Sequence, residues 1–120
     1  MKYMLLIYGN EALWESLPPE ELAQVVKETD AMQKELRASG EFIGAYGVAA
    51  QEMAKTVRIE QGAPVVTDGP YIEAKEYIAS FDIIDCESLE RALGIAAKVP
   101  FARIGSVEVR PLMHEAAPDV

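Results

Sequence analysis

Residues 76–85, with the sequence EYIASFDIID, form the longest stretch of the chain that is typical of a β-strand. Ser88 follows, a residue type that caps helices, and the apolar residues after it recur on one helix face: Leu89, Ala92, Leu93 and Ala96. Pro100 ends this helix, and Val107 and Val109 then alternate with polar residues in a last strand. The second half of the chain is therefore predicted to fold as strand, helix, strand.

The first half shows a similar order of elements. The short apolar stretch 2–8, KYMLLIY, is typical of a buried strand. A helix is predicted over residues 18–39, because two prolines suit its first turn and Gly40 suits its end. Its apolar stripe recurs at spacings of three and four residues: Leu22, Val25, Val26, Thr29, Met32 and Leu36. Further strands are predicted at 41–50 and 55–60, with a hairpin extension at 65–67.

This order of elements predicts an α+β fold. It suits a ferredoxin-like split βαβ arrangement, in which an antiparallel sheet carries two helices on one face. Alternation along the strands assigns these side chains to the helix-facing side: Val57, Ile59, Tyr77, Ala79, Phe81, Ile83, Val107 and Val109. A single domain over residues 1–112 is expected at this length, followed by a flexible tail over 113–120.

The other face of the predicted sheet mixes polar and apolar side chains. It contains Thr56, Arg58, Glu60, Ser80, Asp82, Glu108 and Arg110, together with Ile78 and Ile84. Antiparallel sheets tolerate one face in water, so this face can be solvated. Alternatively, a second copy of the chain covers it, and the two sheets form a barrel with a partly polar interior. The alternation pattern leaves both arrangements open.

Composition disfavours several classes of function. The 120-residue chain carries 20 acidic and 11 basic residues, and a net charge of −9 argues against nucleic acid or an anionic membrane as a partner. A single cysteine and a single histidine exclude a disulfide framework and a histidine-rich metal site. No apolar stretch is long enough for a signal peptide or a membrane span, so a cytoplasmic protein is expected. No cofactor and no metal site are predicted.

The segment from Asp68 to Glu76, DGPYIEAKE, is the least generic part of the chain, and we name it the signature segment. Its first three residues favour a turn, and four charged side chains fall within its nine residues. Crowding can raise the pKa of a carboxylate toward that of a general base, while a lysine nearby stays protonated. A solvated hairpin loop would carry the same charges for solubility alone.

The signature segment resembles that of the DGPF branch of the YCII-related family. The opening MKYMLLIYGNE and the ending VEVRPL are similar to that family as well, so that the resemblance extends to about Leu112. It implies a dimeric α+β barrel, and hence a homodimer, in a bacterial cytoplasmic protein. Some relatives in the wider superfamily are isomerases or lyases that act on small ring-derived acids. Members of the DGPF branch are often encoded near extracytoplasmic-function sigma factors.

Two departures from the family pattern bear on mechanism. Tyr71 stands where the family has phenylalanine, and it adds a hydroxyl group that can donate a hydrogen bond. The YCII branch is thought to use a histidine on the first helix with an aspartate. Residues 18–39 contain no histidine, so this mechanism is not carried over.

Two functions from different classes are predicted. In the first, a dimer cavity binds a small organic acid and transfers a proton, with Asp68 or Glu73 as the base. Lys75 would be the electrostatic partner and Tyr71 the hydrogen-bond donor. Further predicted binding residues are Glu76, Arg58, Asp82 and Arg110, and either arginine is expected to pair with a carboxylate of the signature segment. In the second, the protein is a non-catalytic interaction module that acts with a sigma factor.

Overall fold

The computed structural model describes residues 1–116. Its helices are α1 (Glu11–Ser16), α2 (Pro19–Ser39) and α3 (Leu89–Lys98). Its strands are β1 (Lys2–Gly9), β2 (Phe42–Gly47), β3 (Lys55–Glu60), β4 (Ala63–Asp68), β5 (Tyr77–Asp85) and β6 (Ser106–Pro111). Short 3₁₀ helices lie at Gln51–Met53 and Pro100–Arg103. Of the predicted tail 113–120, residues 117–120 lie outside the described residues.

Four strands form one sheet in the order β2-β5-β1-β6, and every neighbouring pair is antiparallel. The segment β1–α2–β2 therefore joins two parallel strands that are separated by β5. The segment β5–α3–β6 does the same around β1. These two split βαβ units confirm the predicted α+β class with an antiparallel sheet, and the topology is consistent with a ferredoxin-like fold.

The ends of the two long helices follow the predicted signals. Gly40 adopts φ 80° after the last turn of α2, a left-handed conformation that favours glycine, and its N–H donates to the carbonyl oxygen of Arg37 at 3.1 Å. The Ser88 hydroxyl accepts a hydrogen bond of 3.0 Å from the N–H of Arg91 and so caps α3. Both predicted helices are confirmed to within about one residue.

The short helix α1 was not predicted. Its first turn is capped by Asn10, whose side-chain oxygen accepts a hydrogen bond of 2.9 Å from the N–H of Leu13. Trp14 on this helix packs edge-on against Phe101, with ring centroids 5.9 Å apart. The pair Asn10–Glu11, a capping residue followed by an acid, was the sequence signal for this helix.

The hydrophobic core lies between one face of the sheet and the helices α2 and α3. Its buried members come from β1, β5 and both helices: Tyr3, Leu5, Ile7, Leu36, Ile84, Cys86, Ala92, Ile95, Ala96 and Val99. Val107 and Val109 of β6 pack against this cluster, as predicted. Cys86 is a buried packing residue of this cluster.

The structure corrects the predicted facing of β5. Ile84 lies opposite Tyr3 and is fully buried against the helices, and Asp82 lies opposite Leu5 on the same side. Phe81 and Ile83 were expected on the helix side but lie on the other one. Both alternating sets of β5 contain large apolar residues, so alternation within the strand could not choose between them. The register with β1 decides the facing, because a shift of one residue exchanges the two faces.

The hairpin β3–β4, residues 55–68, does not join the four-stranded sheet, and we name it the arm. Val57 and Ile59 were expected to face the helices, but they are 62% and 68% exposed. One side of the arm is apolar beyond the Lys55–Asp68 pair at its base, where it carries Val57, Ile59, Pro64 and Val66. Val57 and Ile59 do lie on one side of β3, as the alternation of residues predicts. The alternation does not specify which surface covers that side.

A partly exposed ion pair joins Glu41, the residue before β2, to Arg91 of α3. Arg91 donates two hydrogen bonds to the Glu41 carboxylate, from Nε at 2.9 Å and from Nη2 at 2.7 Å. The Ser39 hydroxyl adds a third hydrogen bond of 2.8 Å. These hydrogen bonds, that from Arg91 first, lower the pKa of Glu41 to about 2.

Substitution Glu41→Gln is expected to lower the free energy of unfolding at pH 7 by about 1–3 kcal/mol, because the Arg91 guanidinium loses its charged partner. The folded-state pKa of Glu41 lies below its unfolded value. The stabilisation is therefore present above pH 4.5 and is lost as the pH falls from 4.5 toward 2. Urea unfolding at pH 7 and pH 3 measures this difference. Glu35→Gln, on the exposed side of α2, should leave stability unchanged at both pH values.

Candidate functional site

A cavity of about 260 Å³ lies between the helix-facing side of the sheet and α2, and we name it the Asp82 cavity. Asp82 is the one acidic residue in its wall, and no lysine, arginine or histidine within residues 1–116 lines it. The rest of the wall is apolar or uncharged: Ile7, Thr29, Met32, Gln33, Leu36, Ala45, Tyr46, Gly47, Ser80, Val99, Pro100 and Phe101.

The local sequence explains why space remains at this place. On α2, the lining residues occupy positions 29, 32, 33 and 36, a spacing that presents one helix face. On the sheet, the residues next to Asp82 are small, since Ala45 lies opposite Asp82 and Gly47 lies opposite Ser80. A Cβ atom added at Gly47 would meet no other atom within 4 Å. Small side chains on two strands thus leave the cavity beneath α2.

The Asp82 carboxyl group has neither a hydrogen-bond donor nor a cation as partner among the described residues. The side chain is only partly exposed to solvent. Burial disfavours the charged form and raises the pKa of Asp82 from 3.8 to about 6. A carboxyl group with this pKa exchanges its proton close to neutral pH, which is the property required of a general acid or base.

The signature segment begins with the turn that its first residues predicted. Gly69 adopts φ 93°, and its N–H donates a hydrogen bond of 2.7 Å to the carbonyl oxygen of Ala54. The Thr56 hydroxyl donates to the Gly69 carbonyl oxygen at 2.8 Å. Asp68 forms an ion pair with Lys55, and both side chains are largely exposed. The turn therefore closes the base of the arm, and its exposed ion pair contributes little stability.

Two of the three predicted catalytic residues, Glu73 and Lys75, line one groove. The groove has a volume of about 470 Å³, is open to solvent, and is also lined by Glu52. Asp68 is not among its lining residues. The groove is therefore lined by two carboxylates and one ammonium group, is open to water, and is separate from the Asp82 cavity.

The predicted binding residues are dispersed. Tyr71 is 73% exposed, and the Arg58 guanidinium lies 6.0 Å from its ring centroid. Glu76 accepts a hydrogen bond of 3.0 Å from the side-chain amide of Asn10. Asp82 stands apart from all of them, in the cavity under α2. The structure thus brings together only parts of the predicted set.

Arg110 pairs within its own strand. Its Nε donates to Glu108 at 2.8 Å, and the Tyr8 hydroxyl donates to the other carboxylate oxygen at 2.9 Å. The hydrogen bond to Glu108 raises the pKa of Tyr8. Neither Arg110 nor Arg58 forms an ion pair with the signature segment in the described part of the chain, so the expected arginine–carboxylate pairs are not formed.

The residues around Asp82 were largely missed at the level of sequence. Thr29 had been assigned to the apolar stripe of α2, and Gln33 had been given no role. The signal that could have indicated the cavity was the pair of small residues Ala45 and Gly47 at alternate positions of an otherwise apolar strand. Such a pair leaves room on one face of a sheet.

Among residues 1–116, no cluster of three or more histidine, cysteine, aspartate or glutamate side chains is arranged to hold a metal ion. None of the described helices has the length and apolar character needed to cross a membrane.

Comparison with known proteins identifies the family. The model of the YCII-related domain matches residues 1–116. "Uncharacterized protein R00369" of Rhizobium meliloti (strain 1021) is 34% identical over 114 residues, which cover 93% of this chain and 92% of the relative. The family match spans nearly all of the chain, including the Asp82 cavity, the arm and the signature segment. The chain belongs to the YCII-related domain family.

Proposed function

We propose that the protein binds a small molecule in the Asp82 cavity and that Asp82 acts there as a general acid–base group. One observation carries this proposal: a partly buried carboxyl group without a hydrogen-bond or ion-pair partner faces an otherwise uncharged cavity. Burying such a group costs stability, and a cost of this kind is often retained for function. This assignment replaces Asp68 as the proposed base, since Asp68 is exposed and paired with Lys55.

The proposed chemistry is the transfer of one proton. Above pH 6 the Asp82 carboxylate is ionised and accepts a proton from an acidic position of the bound molecule. It then returns the same proton to another atom, so that the protein is unchanged at the end. Gln33 and Ser80 line the cavity beside it and supply neutral hydrogen-bonding groups that can orient the ligand.

Glu73 and Lys75 remain a second candidate for proton transfer. Their groove is open, so water hydrates both charges and screens their mutual interaction. A general base gains from a dry surrounding, where desolvation brings its pKa toward neutrality. The difference in hydration between the open groove and the Asp82 cavity favours Asp82 as the base.

We also propose that the chain belongs to the DGPF branch of its family, which is supported by the Asp68–Gly69–Pro70 turn.

We further propose that the protein forms a homodimer, in which the open face of each sheet and the apolar side of each arm pack on the partner. An isolated two-stranded hairpin is at best marginally stable in water. The open sheet face carries Met4, Leu6, Phe81 and Ile83, together with the hydrogen-bonded group of Tyr8, Glu108 and Arg110. A groove of about 580 Å³ that Tyr8 also lines adds apolar surface from Ile72 and Ile78.

The shape of the chain supports the same arrangement. Its radius of gyration is 16.7 Å, whereas about 14 Å is expected for a compact domain of this length. The arm projects from the body with its apolar side uncovered. A second copy of the chain has the same uncovered surfaces, so each copy can cover those of the other. The two sheets would then enclose a barrel.

Substitution Asp82→Asn tests the proposed site. Because the folded-state pKa of Asp82 lies above its unfolded value, the ionised carboxylate destabilises the native state above pH 6. The full shift corresponds to about 3 kcal/mol, and residual solvent contact reduces the expectation to about 2 kcal/mol. At pH 8 the variant should be more stable than the wild type by that amount. At pH 4 the two should be nearly equal.

The same variant should lose any response to ligands in a screen of small molecules by thermal shift. Asp30→Asn removes an equal charge from the exposed side of α2 and should change neither quantity. A variant at position 82 that is destabilised at pH 8, or that retains the ligand response, would remove Asp82 from the proposed function.

A further inference from the structure

The wall of the Asp82 cavity has an unusual charge balance for a site that takes an organic acid. Asp82 supplies its one acidic group, and no basic side chain from the described residues accompanies it. Thr29, Gln33 and Ser80 are polar but neutral, and the Thr29 hydroxyl already donates to the Val25 carbonyl oxygen at 2.8 Å. A ligand carboxylate would therefore meet the Asp82 carboxylate without any cation between them.

We infer that the ligand of the Asp82 cavity is a small protonated amine with an apolar body, whose ammonium group pairs with the Asp82 carboxylate. This inference rests on the proposed function and names the chemical class of its ligand. It departs from the small organic acid that the family resemblance had implied.

Desolvation explains why an amine is preferred over a neutral ligand. A carboxylate that has lost part of its hydration gains more from a cation than from a neutral donor, because the interaction of two charges strengthens as the surrounding dielectric falls. The ligand charge also neutralises the site on binding. The net charge of −9 on the chain also attracts a positively charged ligand over longer distances.

The other residues of the cavity wall determine the size and polarity of the uncharged part of the ligand. Met32, Leu36, Val99 and Phe101 offer an apolar surface, and the aromatic ring of Phe101 also attracts cations. A volume of about 260 Å³ accommodates a single substituted ring, since an apolar cavity of about 150 Å³ already holds benzene. A ring that carries a short aminoalkyl arm matches both the volume and the charge.

The binding of an amine should depend on the protonation of Asp82. From α2, β1, β2 and the 3₁₀ helix Pro100–Arg103, no charged side chain of the described residues lines the cavity. Tyr46 is the other titratable lining residue, and its ring stacks on Phe81 at 5.2 Å, on the opposite face of the sheet. Below pH 6 Asp82 must release a proton before it can pair with an ammonium group. Affinity should therefore fall about tenfold between pH 7.5 and pH 5.

Three probes of similar shape separate the alternatives: benzylamine, benzyl alcohol and benzoate. Their dissociation constants are measured at pH 7.5 by titration followed through backbone amide signals, with wild type, Asp82→Asn and Asp30→Asn. We expect benzylamine to bind at least about tenfold more tightly than the other two, the advantage of a charged over a neutral hydrogen bond. Asp82→Asn should abolish this preference, and Asp30→Asn should preserve it.

The outcomes distinguish this inference from the function on which it rests. If benzyl alcohol or benzoate binds as tightly as benzylamine, and Asp82→Asn weakens that binding, the amine inference is wrong while the Asp82 cavity stands as a binding site. If none of the three probes perturbs the amides of Thr29, Gln33 or Ser80, both the inference and the proposed site are overturned.

Discussion

Substitution Ile84→Ala is expected to lower the free energy of unfolding by about 3–5 kcal/mol. Ile84 is 0% exposed, and its side chain contributes to the cluster formed by β1, α2 and α3. Removing three carbon atoms there forfeits their transfer from water and leaves a void that the helices fill only in part. Chemical denaturation followed by circular dichroism measures the difference.

The matched control is Ile43→Ala. Ile43 lies on the edge strand β2 and is 48% exposed, so the same truncation should cost about 1 kcal/mol or less. Comparison of the two losses of stability tests which face of the sheet carries the Ile84 side chain. The alternation of residues along β5 did not specify that face. Equal losses from the two variants would mean that Ile84 does not face the core and that Asp82 does not face the cavity.

Substitution Val57→Lys should dissociate the proposed dimer. Val57 lies at the middle of the apolar side of the arm, opposite Val66. In the dimer an ammonium group at this position would be buried without a partner. We expect the dissociation constant to rise at least about a hundredfold, which corresponds to about 2.7 kcal/mol. Sedimentation equilibrium should then show the variant at 13.2 kDa and the wild type at twice that mass.

Thr67→Lys provides the control, since Thr67 lies on the other side of the same hairpin. It introduces the same charge into the same element and should leave the dimer intact. Dissociation by both variants would exclude a specific role for the apolar side of the arm. A wild type that sediments as a monomer would contradict the dimer and would leave the arm as a surface for a different protein, in line with the interaction module that the sequence also allows.

The parts of the fold that could be predicted from sequence are those specified by local interactions. Proline at the start of α2, Gly40 at its end and the Ser88 cap of α3 act within one or two turns of the helix, so their positions were predicted closely. The α+β class followed from the order of these elements. The split arrangement was predicted because this order of elements suits a ferredoxin-like antiparallel sheet with two helices on one face.

The parts that failed depend on contacts between distant segments. The facing of β5 depends on its register with β1, where Ile84 meets Tyr3 across 81 positions of the chain. The arm shows the same limit, because alternation at Val57 and Ile59 indicates that one side is apolar but not what will cover it. Hydrophobic periodicity specifies that a side chain is to be buried and leaves the burying surface open.

The candidate site also has parts that local sequence predicted and parts that depend on contacts between distant segments. Sequence directed attention to the signature segment, where ionisable residues are close along the chain, and its turn formed as expected at Gly69. Asp82 was named as a binding residue but assigned to the wrong face, without its neighbours on α2. Its surroundings arise only when Gln33, Ala45 and Ser80 are brought together by folding. The small residues Ala45 and Gly47 indicate free space on one sheet face, but the sequence does not indicate which residues of α2 enclose that space.

The central claim, that Asp82 is a proton-exchanging group in a binding cavity, is tested most directly by the titration of its own carboxyl carbon. Carbon-13 NMR of the wild type between pH 3 and pH 9, with Asp82→Asn for assignment, gives the pKa of that group. A pKa of about 6 is predicted, because burial disfavours the carboxylate and no cation compensates for it. A pKa close to 4, the ordinary value for an exposed aspartate, would contradict the account.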